Sequence, residues 1–352
     1  MAAASHDYES GEEEGASSAS GVSCHSHAGV EHCVDAEGNT VSSGCARPDY
    51  QYDIPLRIGL LFVILCTGAI GVLGPIFTAK FSKFDADHIV LVCLRQFGTG
   101  IIISTALVHL YTHAQLFFSN ECLGRLQYEA TTSAVVMAAL FVTFLIEYIA
   151  QRLQRRKSTT QGRPAALHDH KMPQAAADDS SEEERRIPGS ATEKELMVQV
   201  TVMEAGIIFH SILIGLTLVV ANDSGFISLF IVILFHQMFE GIALGSRIAM
   251  TSAGLARKIV MALGFAITTP IGMAIGIGVL SSFNGNDPST IVAIATLDAF
   301  SAGILLWVGL VGMLFSDWWF RPLATSGAVK TALGMLFLVS GLVLMSLLGK
   351  WA

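Results

Sequence analysis

Charged residues are scarce in this sequence. Asp, Glu, Lys and Arg make up only 14% of its 352 residues, against about 25% in an average soluble domain. Hydrophobic residues account for 52%. This composition excludes an ordinary soluble domain and indicates a membrane protein. The formal net charge of −8 argues against a nucleic-acid partner.

Other familiar patterns are also missing. The apolar runs do not alternate with polar residues as in a membrane β-barrel, so helices are the expected spanning elements. The first 53 residues contain no apolar core of a signal peptide. The chain has no ATP-binding motif and no HExxH zinc-hydrolase motif.

Long apolar segments are present instead. A helix needs about 20 residues to cross about 30 Å of hydrocarbon, and segments of this kind recur along the chain. The sequence therefore predicts an all-α integral membrane protein with eight transmembrane helices. The predicted spans are 56–78, 88–113, 131–150, 198–220, 225–246, 257–281, 290–315 and 328–348.

The basic residues predict the orientation. If the N-terminus is outside, 17 of the 21 Lys and Arg residues lie on the cytoplasmic side. Both termini are then extracellular. The chain divides into a largely disordered outer tail, three spans, a hydrophilic cytoplasmic loop and five more spans, at 1–53, 54–150, 151–195 and 196–352.

Cysteines are few, and most fall outside in this topology. Cys24, Cys33, Cys45 and Cys122 are extracellular, whereas Cys66 and Cys93 fall within or beside helices. An outer disulfide suits this compartment, but four cysteines allow three full pairings and the sequence does not choose between them. A pairing of Cys45 with Cys122 would tie the tail to the loop after the second span.

Polar residues inside the fourth and fifth spans form a repeated pattern, HSILIG and HQMFEG. His236 and Glu240 are four residues apart and therefore share one helix face. His210 from the fourth span, with Ser211 beside it, would complete a set of ligands suited to Zn²⁺. The glycines that end the two motifs, Gly215 and Gly241, are expected to let these two helices approach closely.

Further polar residues fit a path to and from this site. Glu204 would receive the ion on the cytoplasmic side or act as an interfacial carboxylate, and His109 and His113 would deliver it from outside or lie at the interface. Asp298 is a weaker pathway candidate, and Glu147 and Arg247 are read as interfacial. Short histidine tracts in the aqueous segments are candidates for accessory metal capture: His25, His27, His32, His168 and His170.

Over residues 50–350 the chain resembles the ZIP (Zrt/Irt-like) metal transporters, in particular their fungal-type plasma-membrane zinc importers. The paired motifs carry most of the resemblance, supported by YDIPLRIGLLFVIL, RQFGTGIIISTALVHLYTHA, ECLGRLQYEA and DAFSAGILLW. It implies an eight-helix bundle with a metal path lined by spans two, four, five and seven. It also implies that His210, His236 and Glu240 form the primary site, with Ser211 and Gln237 as secondary neighbours and His109 on the path.

The sequence departs from the family pattern at two positions. Many relatives have an acidic residue where this chain has Ile214, and many have another where it has Gly312. A second ion beside the first would lack a negative ligand, so we expect one tightly held metal in the helix site.

The resulting hypothesis is a multi-pass plasma-membrane transporter, not an enzyme, that takes up zinc. It needs no prosthetic group, since Zn²⁺ is the transported substrate, and Fe²⁺, Mn²⁺ or Cd²⁺ remain alternatives. An intramembrane zinc metalloenzyme and a metal sensor without transport are the rival hypotheses. Besides metal ions and the lipid bilayer, the hypothesis allows a homodimer and cytoplasmic regulators that bind the 151–195 loop.

Overall fold

The computed structural model describes a helical bundle with a small sheet. The described residues are 22–27, 30–35, 40–41, 45–46, 52–82, 88–124, 126, 128–161, 193–320 and 322–350. Among them, eight helices are long and apolar enough to cross a membrane, which confirms the predicted fold class. They span Ile54–Phe81, Ile89–Phe118, Thr131–Leu153, Glu195–Val220, Gly225–Met250, Leu255–Val279, Pro288–Thr325 and Ala328–Leu348.

Two of these spans are not regular α-helices throughout. The second consists of α2 (Ile89–Ser104), a π-helical segment π1 (Thr105–Leu110) and α3 (Tyr111–Phe118). The seventh consists of α8 (Pro288–Trp307), a second π-helical segment π2 (Val308–Phe320) and a 3₁₀ turn at Pro322–Thr325. Another 3₁₀ turn lies at Glu121–Leu123. The remaining helices are α1 (Ile54–Phe81), α4 (Thr131–Gln161), α5 (Glu193–Val220), α6 (Asp223–Met250), α7 (Leu255–Val279) and α9 (Ala328–Leu348).

Small residues allow the helices of the bundle to pack closely. Gly241 faces the α1 backbone at Gly71 and Val72, and Gly215 faces the α7 backbone at Thr269. The prediction that Gly215 and Gly241 bring α5 and α6 together is therefore wrong. Each glycine instead joins its helix to a different partner, where a side chain would collide with main-chain atoms.

A disulfide marks one end of the bundle. Cys45 is bonded to Cys122, and the carbonyl of Cys45 accepts a hydrogen bond from the side chain of Asn284, between α7 and α8. We call this the disulfide end. The opposite end, where α4 ends and α5 begins, is called the linker end.

Arg57 joins three helices at the disulfide end. Its side chain is fully buried. It donates to the carbonyls of Val219 and Ala221, where α5 ends, and to the Asp223 carboxylate at 2.6 Å, where α6 begins. These bonds satisfy carbonyls that the end of a helix leaves free, and they fix the turn between α5 and α6 against α1.

Part of the N-terminal tail forms a sheet. Three antiparallel strands, Val22–His27, Val30–Asp35 and Thr40–Val41, lie in the order of the chain. The expectation of a largely disordered 1–53 segment therefore does not hold for these residues, and their β-branched valine and threonine residues favour strands. The backbone register places Cys24 opposite Cys33 and His25 opposite His32.

Candidate metal site in the helix bundle

Three histidines from three different spans meet in the interior of the bundle. His210 lies on α5, His236 on α6 and His109 in π1. One ring nitrogen from each lies within 4.8 Å of the others, the only such group of histidine, cysteine and acidic side chains in the described part of the chain. All three side chains are buried, at no more than 1% exposure.

The spacing of the ligand atoms suits a tetrahedral ion. His210 Nε2 lies 3.4 Å from His236 Nε2, and His236 Nε2 lies 3.4 Å from Glu240 Oε1. Around a zinc ion with bonds of about 2.0–2.1 Å, neighbouring ligand atoms are about 3.3–3.4 Å apart. Glu240 is fully buried one helical turn beyond His236, so α6 alone presents two neighbouring candidate ligands.

Buried polar atoms at this point do not satisfy one another. Both ring nitrogens of His109, both carboxylate oxygens of Glu240 and the hydroxyl of Ser211 have no hydrogen-bond partner among the described residues. Buried polar groups are almost always hydrogen-bonded in proteins, because an unpaired one costs several kcal/mol in a membrane. Such a concentration of free donors and acceptors therefore points to a ligand.

The position of His109 depends on the irregular helix. Segments of π-helix are rare and occur often at functional sites, and His109 is the fifth residue of π1. Its ring centroid lies 5.1 Å from that of His210 and 5.0 Å from that of His236. The sequence predicts a pathway role for His109, and the structure places it among the candidate ligands themselves.

The secondary neighbours occupy different surroundings. Ser211 is fully buried beside His210. The Gln237 amide oxygen accepts a hydrogen bond of 2.9 Å from the Thr269 hydroxyl on α7, which fixes the amide. Its amide nitrogen has no hydrogen-bond partner among the described residues. No pattern in the sequence indicates that Thr269 orients a neighbour of the candidate site.

Two pathway candidates extend the site toward the disulfide end. Asp298 on α8 lies 3.6 Å from His210 Nδ1 and 3.9 Å from His113 Nδ1, measured from its two carboxylate oxygens. Asp298 is 3% exposed, whereas the His113 side chain is 15% exposed. These side chains form a polar line from the partly exposed His113 to the buried histidines.

Toward the linker end the surroundings become apolar. Glu204, six residues before His210 on α5, is half-buried. Ile207, which lies between them, and Met203, next to Glu204, are buried in a core cluster that also contains Leu305 and Val308. The polar line therefore stops at an apolar layer on this side of the site.

The other predicted candidates are not part of this cluster. His25, His27 and His32 belong to the strands of the tail, and His168 and His170 lie outside the described residues. Ile214 is buried in an apolar cluster with Ile64 and Leu218.

A buried ion pair near the linker end was missed by the sequence reasoning. Arg247, which the sequence places at the inner boundary, is 2% exposed and buried among other helices. Its guanidinium donates two hydrogen bonds to Asp317 of π2, at 2.8 and 3.2 Å, and one to Thr99 of α2 at 2.9 Å. An arginine only one turn before the end of its helix gives no signal in the sequence that its partner comes from a distant span.

Comparison with known proteins identifies relatives across nearly the whole chain. A family model described as ZIP zinc transporter matches residues 54–349. Zinc-regulated transporter 1 of Candida albicans is 53% identical over 334 residues, which cover 95% of this chain and 68% of the relative.

More distant relatives carry names that mention zinc or iron. Zinc transporter 9 of Oryza sativa is 33% identical over 84% of this chain and 89% of its own length. Fe(2+) transport protein 1 of Arabidopsis thaliana is 31% identical over 85% of this chain and 86% of its own length. The similarity thus covers the eight spans rather than a single motif.

Proposed function

The chain belongs to the ZIP zinc transporter family, and we propose that it moves Zn²⁺ from outside the cell into the cytoplasm. It is a multi-pass membrane transporter of divalent metal ions and not an enzyme. We place the zinc-binding step at His210, His236 and Glu240, with His109 as a further ligand. The observation that carries this assignment is the buried cluster in which candidate ligand atoms lie 3.4 Å apart, while both ring nitrogens of His109 and both carboxylate oxygens of Glu240 have no hydrogen-bond partner among the described residues.

The donor atoms favour zinc as the main substrate. Imidazole nitrogens with one carboxylate suit Zn²⁺ better than hard ions that prefer oxygen ligands. Relatives named for Fe²⁺ transport share this family, and Fe²⁺ also accepts imidazole ligands. We therefore expect Fe²⁺ to compete with Zn²⁺ at the same residues rather than at a separate site.

The proposed direction of zinc transport rests on the difference between the two sides of the site, which is polar toward the disulfide end and apolar toward the linker end. We propose that the disulfide end faces outward, in agreement with the distribution of basic residues and with the oxidising environment that disulfides require. His113 and Asp298 then form the entry to the site, and the layer of Met203 and Ile207 closes the cytoplasmic side. Release requires this apolar layer to open, after which Glu204 would receive the ion.

Purified protein in liposomes provides the test. We expect radioactive zinc to accumulate inside, faster than in liposomes without protein, and to be reduced by excess unlabelled zinc. A protein that binds zinc but transports none would instead be a sensor. An extracellular location of both termini is tested separately, by labelling terminal tags on intact cells with a plasma membrane marker as reference.

The long loop between the third and fourth spans should be dispensable for transport. Deleting residues 160–190 removes a hydrophilic stretch that contains the acidic run SEEE and the tract HDH, and these residues supply none of the proposed ligands of the helix site. We expect the initial rate of zinc uptake to stay within about threefold, since a segment of this composition has few large apolar residues for packing. Loss of uptake by a correctly inserted deletion variant would show that the loop belongs to the transport machinery.

A further inference from the structure

A second group of polar side chains lies at the linker end, apart from the histidine cluster. Glu147 and Gln151 are one turn apart on α4, and Glu195 and Gln199 are one turn apart on α5. These four side chains, with Ala150 and Val198, line one narrow crevice between the two helices. Each helix thus contributes one carboxylate and one amide, spaced in the same way.

Glu147 is the most deeply buried of the four. It is 6% exposed, and one of its carboxylate oxygens accepts a hydrogen bond of 3.0 Å from the Trp307 indole nitrogen. The other oxygen, Oε1, is buried and has no hydrogen-bond partner among the described residues. A buried carboxylate oxygen rarely lacks a partner, since charged side chains are seldom buried unless they are paired or bound to a metal.

We propose that this crevice is a binding site for a divalent cation that prefers oxygen ligands, of the Mg²⁺ and Mn²⁺ class. Two carboxylates supply the charge that balances such an ion, and the carbonyl oxygens of two amides complete a set of four oxygen donors. The Trp307 hydrogen bond holds the Glu147 carboxylate in place while Oε1 stays free to bind. This donor set contrasts with the imidazole-rich histidine cluster.

The crevice is separate from the histidine cluster. Gln199 precedes His210 by 11 residues on α5, which places them on nearly the same helix face but about 16 Å apart along the axis. The buried side chains of Met203 and Ile207 lie between them. Gln199 also lies against Gly312 of π2, where an added Cβ would be 3.3 Å from its side chain. An ion here would therefore bind where three spans meet.

Titration of the purified full-length protein with Mn²⁺ tests this site, because free Mn²⁺ has an electron paramagnetic resonance signal that decreases on binding. We expect the double variant Glu147→Gln/Glu195→Gln to bind this ion at least tenfold more weakly than wild type. The double variant His210→Ala/His236→Ala should retain the binding. Glu129→Gln, which makes the same change at an exposed residue, serves as the matched control.

Two results would overturn the proposal. One is unchanged Mn²⁺ affinity in the glutamate double variant, and the other is complete loss of Mn²⁺ binding in the histidine double variant. Glu195→Gln alone, at a residue that is only half-buried, gives a weaker site without disturbing the Trp307 hydrogen bond, should the double variant fold poorly. Since the readout is binding and not zinc uptake, its failure is distinct from failure of the proposed transport function.

Discussion

Replacing either His210 or His236 by alanine will nearly abolish zinc uptake while the protein still reaches the membrane. Each change removes one of the nitrogen ligands that are 3.4 Å apart in the structure. Loss of residues that merely orient a ligand already lowers metal affinity by about 10–100-fold, so loss of a ligand itself should cost at least as much. The Nδ1 atom of each ring has no hydrogen-bond partner among the described residues, and the two Nε2 atoms contact each other. Alanine therefore removes no hydrogen bond that ties the cluster to the rest of the bundle.

Uptake must be compared at equal amounts of protein on the cell surface. His88→Ala provides a matched control, since His88 caps the start of α2 through a contact of its ring with the Val90 amide, 3.3 Å away. We expect this variant to keep its rate within about twofold, allowing for the modest cost of a lost helix cap. Normal uptake by the His210 or His236 variant would contradict the assigned site, and zinc affinity of the purified variants gives a second measurement.

The sequence was sufficient to predict the spans and the two motif helices. Long apolar runs determine where helices cross a membrane, and the four-residue spacing of His236 and Glu240 determines that they share a face. Both properties are local and need no knowledge of tertiary contacts. The same reasoning selected Asp298 only weakly, because its approach to 3.6 Å from His210 depends on how α8 packs against α5.

Properties that depend on packing between distant spans could not be predicted. The helices that pack against Gly215 and Gly241 were predicted wrongly, because a glycine in the sequence indicates a close helix contact but not which helix makes it. His109 was placed on the path rather than at the cluster because a π-helical segment leaves no clear pattern in the sequence. The burial of Arg247 was not predicted for a similar reason, because its partner Asp317 is 70 residues away in the sequence.

Removal of one partner from this buried pair should be among the most destabilising single changes in the protein. Asp317→Ala leaves the Arg247 guanidinium at 2% exposure without its carboxylate and also removes the acceptor of a 3.0 Å hydrogen bond from Gln96. Breaking a buried ion pair in this way costs about 3–5 kcal/mol. Thermal unfolding in detergent, followed by circular dichroism, should show a clear loss of stability. Arg257→Ala, at an exposed arginine of the same end, should cost less than about 1 kcal/mol.

Replacing both partners separates the cost of an unpaired charge from the value of the pair. The double variant Arg247→Met/Asp317→Leu contains no buried charge at this point, and apolar replacements of buried ion pairs are often tolerated or even stabilising. In this protein, the double variant should regain only part of the stability that Asp317→Ala loses. Gln96 loses an acceptor and Thr99 a donor, and an unsatisfied buried polar group costs about 1–3 kcal/mol. We therefore expect a stability between those of Asp317→Ala and wild type. A double variant no more stable than Asp317→Ala would show that specific hydrogen bonds, and not charge pairing, hold α2, α6 and π2 together.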